Sequence, residues 1–168
     1  MHARFGDQRT DRIARFLAGV GIDVSRAELP ESFLPGVALE RGGLLVDEPR
    51  LQFPGDLLHE AGHVAAAPGW ARPSLSGAIE VPGLDTKALE WAAIPWSYAA
   101  ALAIGIDPAE VFHDAGYRGH ARGLLATFAA GGQIGVHLLE AAGMTATGER
   151  AAALGVEPYP HMLRWVRE

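Results

Sequence analysis

The string His59-Glu60-Ala61-Gly62-His63 holds the residues of this chain best suited to chemistry. It reads H-E-x-x-H. On a helix, residues four apart lie on one face, so the imidazoles of His59 and His63 can share one metal ion. Glu60 stands beside the first of them, placed to act on a water bound to that ion. A hydrolytic zinc site takes three protein ligands and keeps one position for water, so a third ligand must come from elsewhere. Glu90 is the leading choice. It lies 27 positions after His63 in Leu89-Glu90-Trp91-Ala92-Ala93-Ile94, and a carboxylate buried among such residues is costly unless paired or coordinated. Asp85, Glu80 and His113 are weaker candidates, because each has a ready structural role at a helix end or in a loop.

Composition narrows the alternatives. The chain has 168 residues, close to the usual size of one domain, and no linker-like stretch separates two cores. A single domain over 1–168 is therefore expected. Hydrophobic residues make up 49 %, enough to support a packed core. The net charge of -6 argues against a nucleic-acid partner held through phosphates, and no basic run suggests a membrane surface. With no cysteine, disulfides, thiolate zinc sites and a Cys nucleophile are excluded, so any metal must be held by His, Asp or Glu. Met1 to Thr10 is polar and lacks the apolar core of a secretory signal. Trp91–Ile106 and Gly123–Leu139 carry no formal charge but are short for a membrane span, and they read as buried helices. The expected location is the cytoplasm.

The elements that must position these residues follow from periodicity. Ile13, Phe16, Leu17 and Val20 predict a helix from Thr10 to about Gly19. Pro30 and Pro35 mark an irregular connection. Val37-Ala38-Leu39-Glu40 and Leu44-Leu45-Val46-Asp47 flank Arg41-Gly42-Gly43, which predicts a hairpin. The motif helix should start near Pro54 or Asp56 and stop at Pro68-Gly69. A loop from Ala71 to Pro82 follows, with room for a short strand at Ala78–Val81. The next helix begins at Asp85 or Thr86 and runs towards Ile104, with a kink or break at Pro95. Asp107-Pro108-Ala109-Glu110 reads as a capped helix start. Gly116–Gly119 reads as a turn. A long helix over Ala121–Ala142 carries Thr127, Gly131 and Gly135 every four residues, a smooth stripe for close packing. A short helix near Glu149–Leu154 completes the order. The fold class is α+β, mostly helical, with a small β-sheet or hairpin ahead of the motif helix.

Leu44-Leu45-Val46-Asp47, Leu57-Leu58-His59-Glu60-Ala61-Gly62-His63 and Glu90-x-x-Ala93-x-x-Trp96 together resemble the gluzincin metallopeptidases, and most nearly their minimal ImmA/IrrE type. The resemblance covers about residues 37 to 100. It implies a zincin-like fold, zinc as cofactor, His59, His63 and Glu90 as ligands, and Glu60 as general base. Two positions depart from it. Larger gluzincins often carry an acid four positions after the third ligand, to orient a zinc-bound His, and here that position is Ile94. Pro95 also falls just after the ligand turn.

The function that follows is a zinc-dependent metallopeptidase acting on a peptide or protein substrate. The alternative is a zinc-binding zincin-like domain with little peptidase activity, used for binding or regulation. Tyr98, Tyr117 and His120 are the residues at hand for steadying an oxyanion. Tyr98 reads first as a core aromatic, and Tyr117 and His120 as loop surface. His137 reads as a hydrogen-bonded core histidine, and Trp70, Trp91, Trp96 and Trp165 as packing groups. The sequence contains no phosphate-binding loop of the G-x-x-x-x-G-K-S/T kind and no G-x-S-x-G elbow. Substrate identity and oligomeric state are not written in these motifs.

Overall fold

The computed structural model describes residues 3–31 and 34–168. The Pro30–Pro35 connection includes Ser32 and Phe33, and the N-terminal stretch includes Met1 and His2, all of which lie outside the described residues. The architecture is α+β, with six α-helices and one three-stranded sheet among the described residues. Helix α1 spans Gln8–Gly19 and starts where Asp7 accepts hydrogen bonds from the Arg9 and Thr10 amides. Its apolar stripe, Ile13, Ala14 and Leu17, is buried.

Three strands follow: β1 (Val24–Arg26), β2 (Val37–Glu40) and β3 (Gly43–Val46). The predicted hairpin is β2–β3, antiparallel, with Glu40 opposite Gly43. Arg41 and Gly42 turn it with φ values of 49° and 75°, the pairing of left-handed residues that matches strand twist. The hairpin pattern did not reveal β1, a three-residue strand that pairs in parallel with β3 and leaves β3 central. Val37, Leu39, Leu44 and Val46 are buried. No strand forms at Ala78–Val81; that segment has too little alternation to pair and stays irregular.

The motif helix α2 spans Asp56–Ala66 and is buried along nearly its whole length, packed on β2 and β3. After it Arg72 closes the end, donating to the carbonyls of Val64 and Ala67 that have no partner within the helix. Helix α3 runs Thr86–Ile104, with Asp85 accepting from the Ala88 amide as N-cap. It crosses α2, and the two make the most extensive helix pair in the molecule. Of the kink or break expected at Pro95, the break does not occur; the helix continues through it. Pro95 is buried, and its neighbours Ala92, Ala93, Trp96, Ser97 and Ala99 through Ala101 bury most sides of α3, so packing offsets the one lost hydrogen bond.

The last third differs most from expectation. The predicted helix over Ala121–Ala142 is two short ones, α4 (Ala121–Ala129) and α5 (Val136–Ala141). Gly131 and Gly135 between them have φ of 83° and 72°, a left-handed backbone that no right-handed helix continues. Only Ala121 and Phe128 of α4 are buried, so Gly123–Leu139 is not one buried helix. The capped start at Asp107 is real, Asp107 accepting from the Ala109 amide, but it launches a single turn, Pro108–Glu110. Helix α6 is Gly148–Leu154. The chain then returns over the centre: Arg167 donates its amide to Ala65, and the Trp96 indole donates to the Trp165 carbonyl.

Candidate metal centre

Residues on one helix face are neighbours only if a partner element comes close enough to complete a site. Here Gly62 permits it. A Cβ at Gly62 would stand 2.9 Å from both Cα and O of Ala93. The bare backbone of α2 thus lets α3 press against it just before His63, and Ala93 is one turn after Glu90. That crossing lays the Glu90 carboxylate between two imidazoles. His59 Nε2 is 3.2 Å from Glu90 Oε1, and His63 Nε2 is 2.7 Å from Glu90 Oε2. One donor atom from each of the three residues lies within 4.8 Å of the others, a group that could hold a metal ion. Tetrahedral zinc with bonds of about 2.0–2.1 Å would set its ligand atoms about 3.3 Å apart, a spacing close to the two His–Glu90 distances, while the group as a whole spans up to 4.8 Å and would close in around an ion. The two imidazoles and one carboxylate are donors that zinc accepts.

The structure corrects the reason for singling out Glu90. Its side chain is 53 % exposed, although Leu89, Ala92, Ala93 and Ile94 around it are buried. The carboxylate points across the top of α2 rather than into the core, and the two histidines are its partners. Hydrogen bonds from His59 and His63 hold it well below the usual carboxylate range. His63 is the buried member. Burial opposes its protonation, but Glu60 and Glu90 outweigh that, and its pKa is pushed up to about 9. Without a metal, His63 and Glu90 favour each other's charged forms.

Glu60 is buried beside His59 on α2, with Oε2 3.6 Å from His63 Nδ1. That nitrogen is a buried atom with no hydrogen-bond partner. His59 Nδ1 is held differently: the Tyr117 hydroxyl is 3.0 Å away, with the two rings edge-on. Tyr117 is therefore not loop surface. Burial pushes its phenol pKa above the ordinary value. Next to it His113 Nε2 meets Asp56 Oδ1 at 2.7 Å, and Phe53 stacks on the His113 ring at 3.8 Å. Burial pushes the Asp56 carboxyl up, against the pull of His113. Sequence reasoning missed the Asp56–His113 and His59–Tyr117 pairs. They join positions 57 and 58 apart through a turn, and no local pattern announces them.

The other candidates fall elsewhere. Asp85 caps α3, and Glu80 is exposed outside the group of ligand-type atoms. Tyr98 stacks on Phe128, as a core aromatic should. His120 and His137 are exposed, so His137 is not a core histidine. Trp96 is fully buried, but Trp70 and Trp91 are exposed at 62 % and 45 %. No helix among the described residues is long and apolar enough to cross a membrane. No protein-family model, curated protein or solved structure matches the chain.

Proposed function

We propose that His59, His63 and Glu90 bind zinc, and that the chain is a zincin-like, gluzincin-type metallopeptidase acting on a peptide or protein substrate in the cytoplasm. The convergence of two Nε2 atoms on the two oxygens of one carboxylate carries this reading. Zinc would supply Lewis acidity, lowering the pKa of water and polarising a scissile carbonyl. Glu60 supplies the base. A carboxylate one position after the first ligand has no use in a purely structural site, which would close its fourth position with a side chain. Glu60 would take a proton from the attacking water and pass it to the leaving amine. Its burial limits competing solvent, and α2 fixes its direction.

A second reading draws on the shape of the surface. Two depressions of about 370 and 440 Å³ lie along another side of α3, one lined by Ala88, Leu89 and Ala92 and the other by Ala88 and Trp91. Neither includes a residue of the metal centre. A zinc-binding domain that holds a partner, with little peptidase activity, would use such a surface.

The deciding experiment measures zinc in purified parent, His63→Ala and Glu90→Ala proteins. Stoichiometric zinc in the parent and loss in both variants is expected; equal content in all three would remove the ligand assignment. Peptide-library cleavage by parent and Glu60→Gln then separates the two functions. Cleavage that disappears in Glu60→Gln while zinc is retained supports the peptidase. A zinc-loaded parent that cleaves nothing supports the binding domain.

A further inference from the structure

Tyr117 has no part in the reaction above, yet it is among the most constrained residues near the centre. Its ring stacks on Phe112 at 5.1 Å. Four residues earlier, His113 ties the same segment to Asp56, one turn before His59 on α2. The backbone at Tyr117 and Arg118 is left-handed, with φ of 54° and 52°. Residues with a Cβ keep that conformation only where the surroundings impose it.

The Tyr117 hydroxyl lies 3.0 Å from His59 Nδ1. A neutral imidazole that offers its Nε2 lone pair to a metal carries its proton on Nδ1, and the phenol oxygen is then the acceptor.

We propose that Tyr117 is the positioning residue for His59: its hydroxyl oxygen accepts the Nδ1 hydrogen bond and so holds the Nε2 lone pair toward the metal. The proposal rests on zinc binding at His59, His63 and Glu90. Partners of this kind fix ring orientation and tautomer, and losing one weakens metal binding by about 10- to 100-fold.

Zinc dissociation constants from chelator competition test it in parent and Tyr117→Phe proteins. Tyr117→Phe keeps the ring and removes only the hydroxyl. Its zinc affinity should fall about tenfold or more, while the thermal midpoint of the metal-free protein stays near the parent's. In histidine nitrogen-15 spectra of the zinc-loaded parent, the His59 Nδ1 proton should exchange slowly, and in Tyr117→Phe rapidly. A parent that takes up no zinc overturns the zinc site and this role together. A parent that binds zinc and a Tyr117→Phe protein that binds it equally tightly overturn the role of Tyr117 alone. A loss of affinity seen only alongside a collapsed thermal midpoint also overturns it, since the hydroxyl would then serve the fold.

Discussion

Glycine does opposite work in the two halves of this molecule. At the α2–α3 crossing, Gly62 sits inside a continuous helix and is there for what it lacks: a Cβ would meet the Ala93 backbone at 2.9 Å. Between α4 and α5, Gly131 has open space around it and is there for its backbone, at φ 83°. Gly135 combines the two, with φ 72° and a would-be Cβ 2.2 Å from the Trp91 carbonyl. A glycine every four residues is therefore no sign by itself that one helix continues through all of them. The first region brings two helices together tightly enough to form a centre. The second ends one helix at an exposed glycine and starts another that packs against α3.

Gly62→Ala should break the first half of this comparison. In an exposed helix that change is favourable by about 1 kcal/mol. Here the added methyl presses on backbone, and overpacking of this kind costs about 1–3 kcal/mol. Denaturant unfolding should show net destabilisation, and zinc content should fall as Glu90 is pushed away from α2. An unchanged midpoint would mean that the crossing relaxes freely.

The ionisable centre gives the α2–α3 region a pH signature that the α4–α5 region lacks. His63 has its folded pKa raised to about 9 from 6.5, so its contribution to stability is full below about pH 6.5 and is lost as pH rises through 9. Glu90 is depressed below 4.5, so its contribution is present above that value and is lost as pH falls. The thermal midpoint of chelator-treated protein should decline from pH 6.5 to 9. In His63→Gln that part of the decline should disappear. A parent and variant with parallel profiles would count against the ion pair.

The smallest effect is expected in α4. Gly123 lies within that helix, is exposed, and would have nothing within 4 Å of an added Cβ. Gly123→Ala should therefore stabilise, by up to about 1 kcal/mol. A thermal melt that moves downward would show that α4 is held by contacts absent from this arrangement.

Particular residues show what was legible. His59 and His63 depend only on helical spacing, and the hairpin before them only on alternation about a two-residue turn, so both could be read from the chain. Glu90 was singled out as a buried carboxylate, yet it is half-exposed and earns its place through two histidines on another helix. Local propensity at Pro95 favours a kink or a break, and burial on α3 keeps the helix continuous there. The position four after Glu90 is Ile94, with no acid to orient a histidine. The hydrogen bond to His59 Nδ1 comes instead from Tyr117, 58 positions away.

By itself the sequence determined α1, the β2–β3 hairpin and the motif helix in their order, the shared face of His59 and His63, the nearness of Glu60, and the restriction to nitrogen and oxygen ligands. Those follow from helix geometry and residue chemistry, which act over a few positions. Only the tertiary structure decided that α3 crosses α2 at Gly62, that Glu90 reaches both Nε2 atoms, and that Tyr117 stands behind His59. Those depend on how distant surfaces fit, and an interaction between distant positions exists only once packing has brought them together.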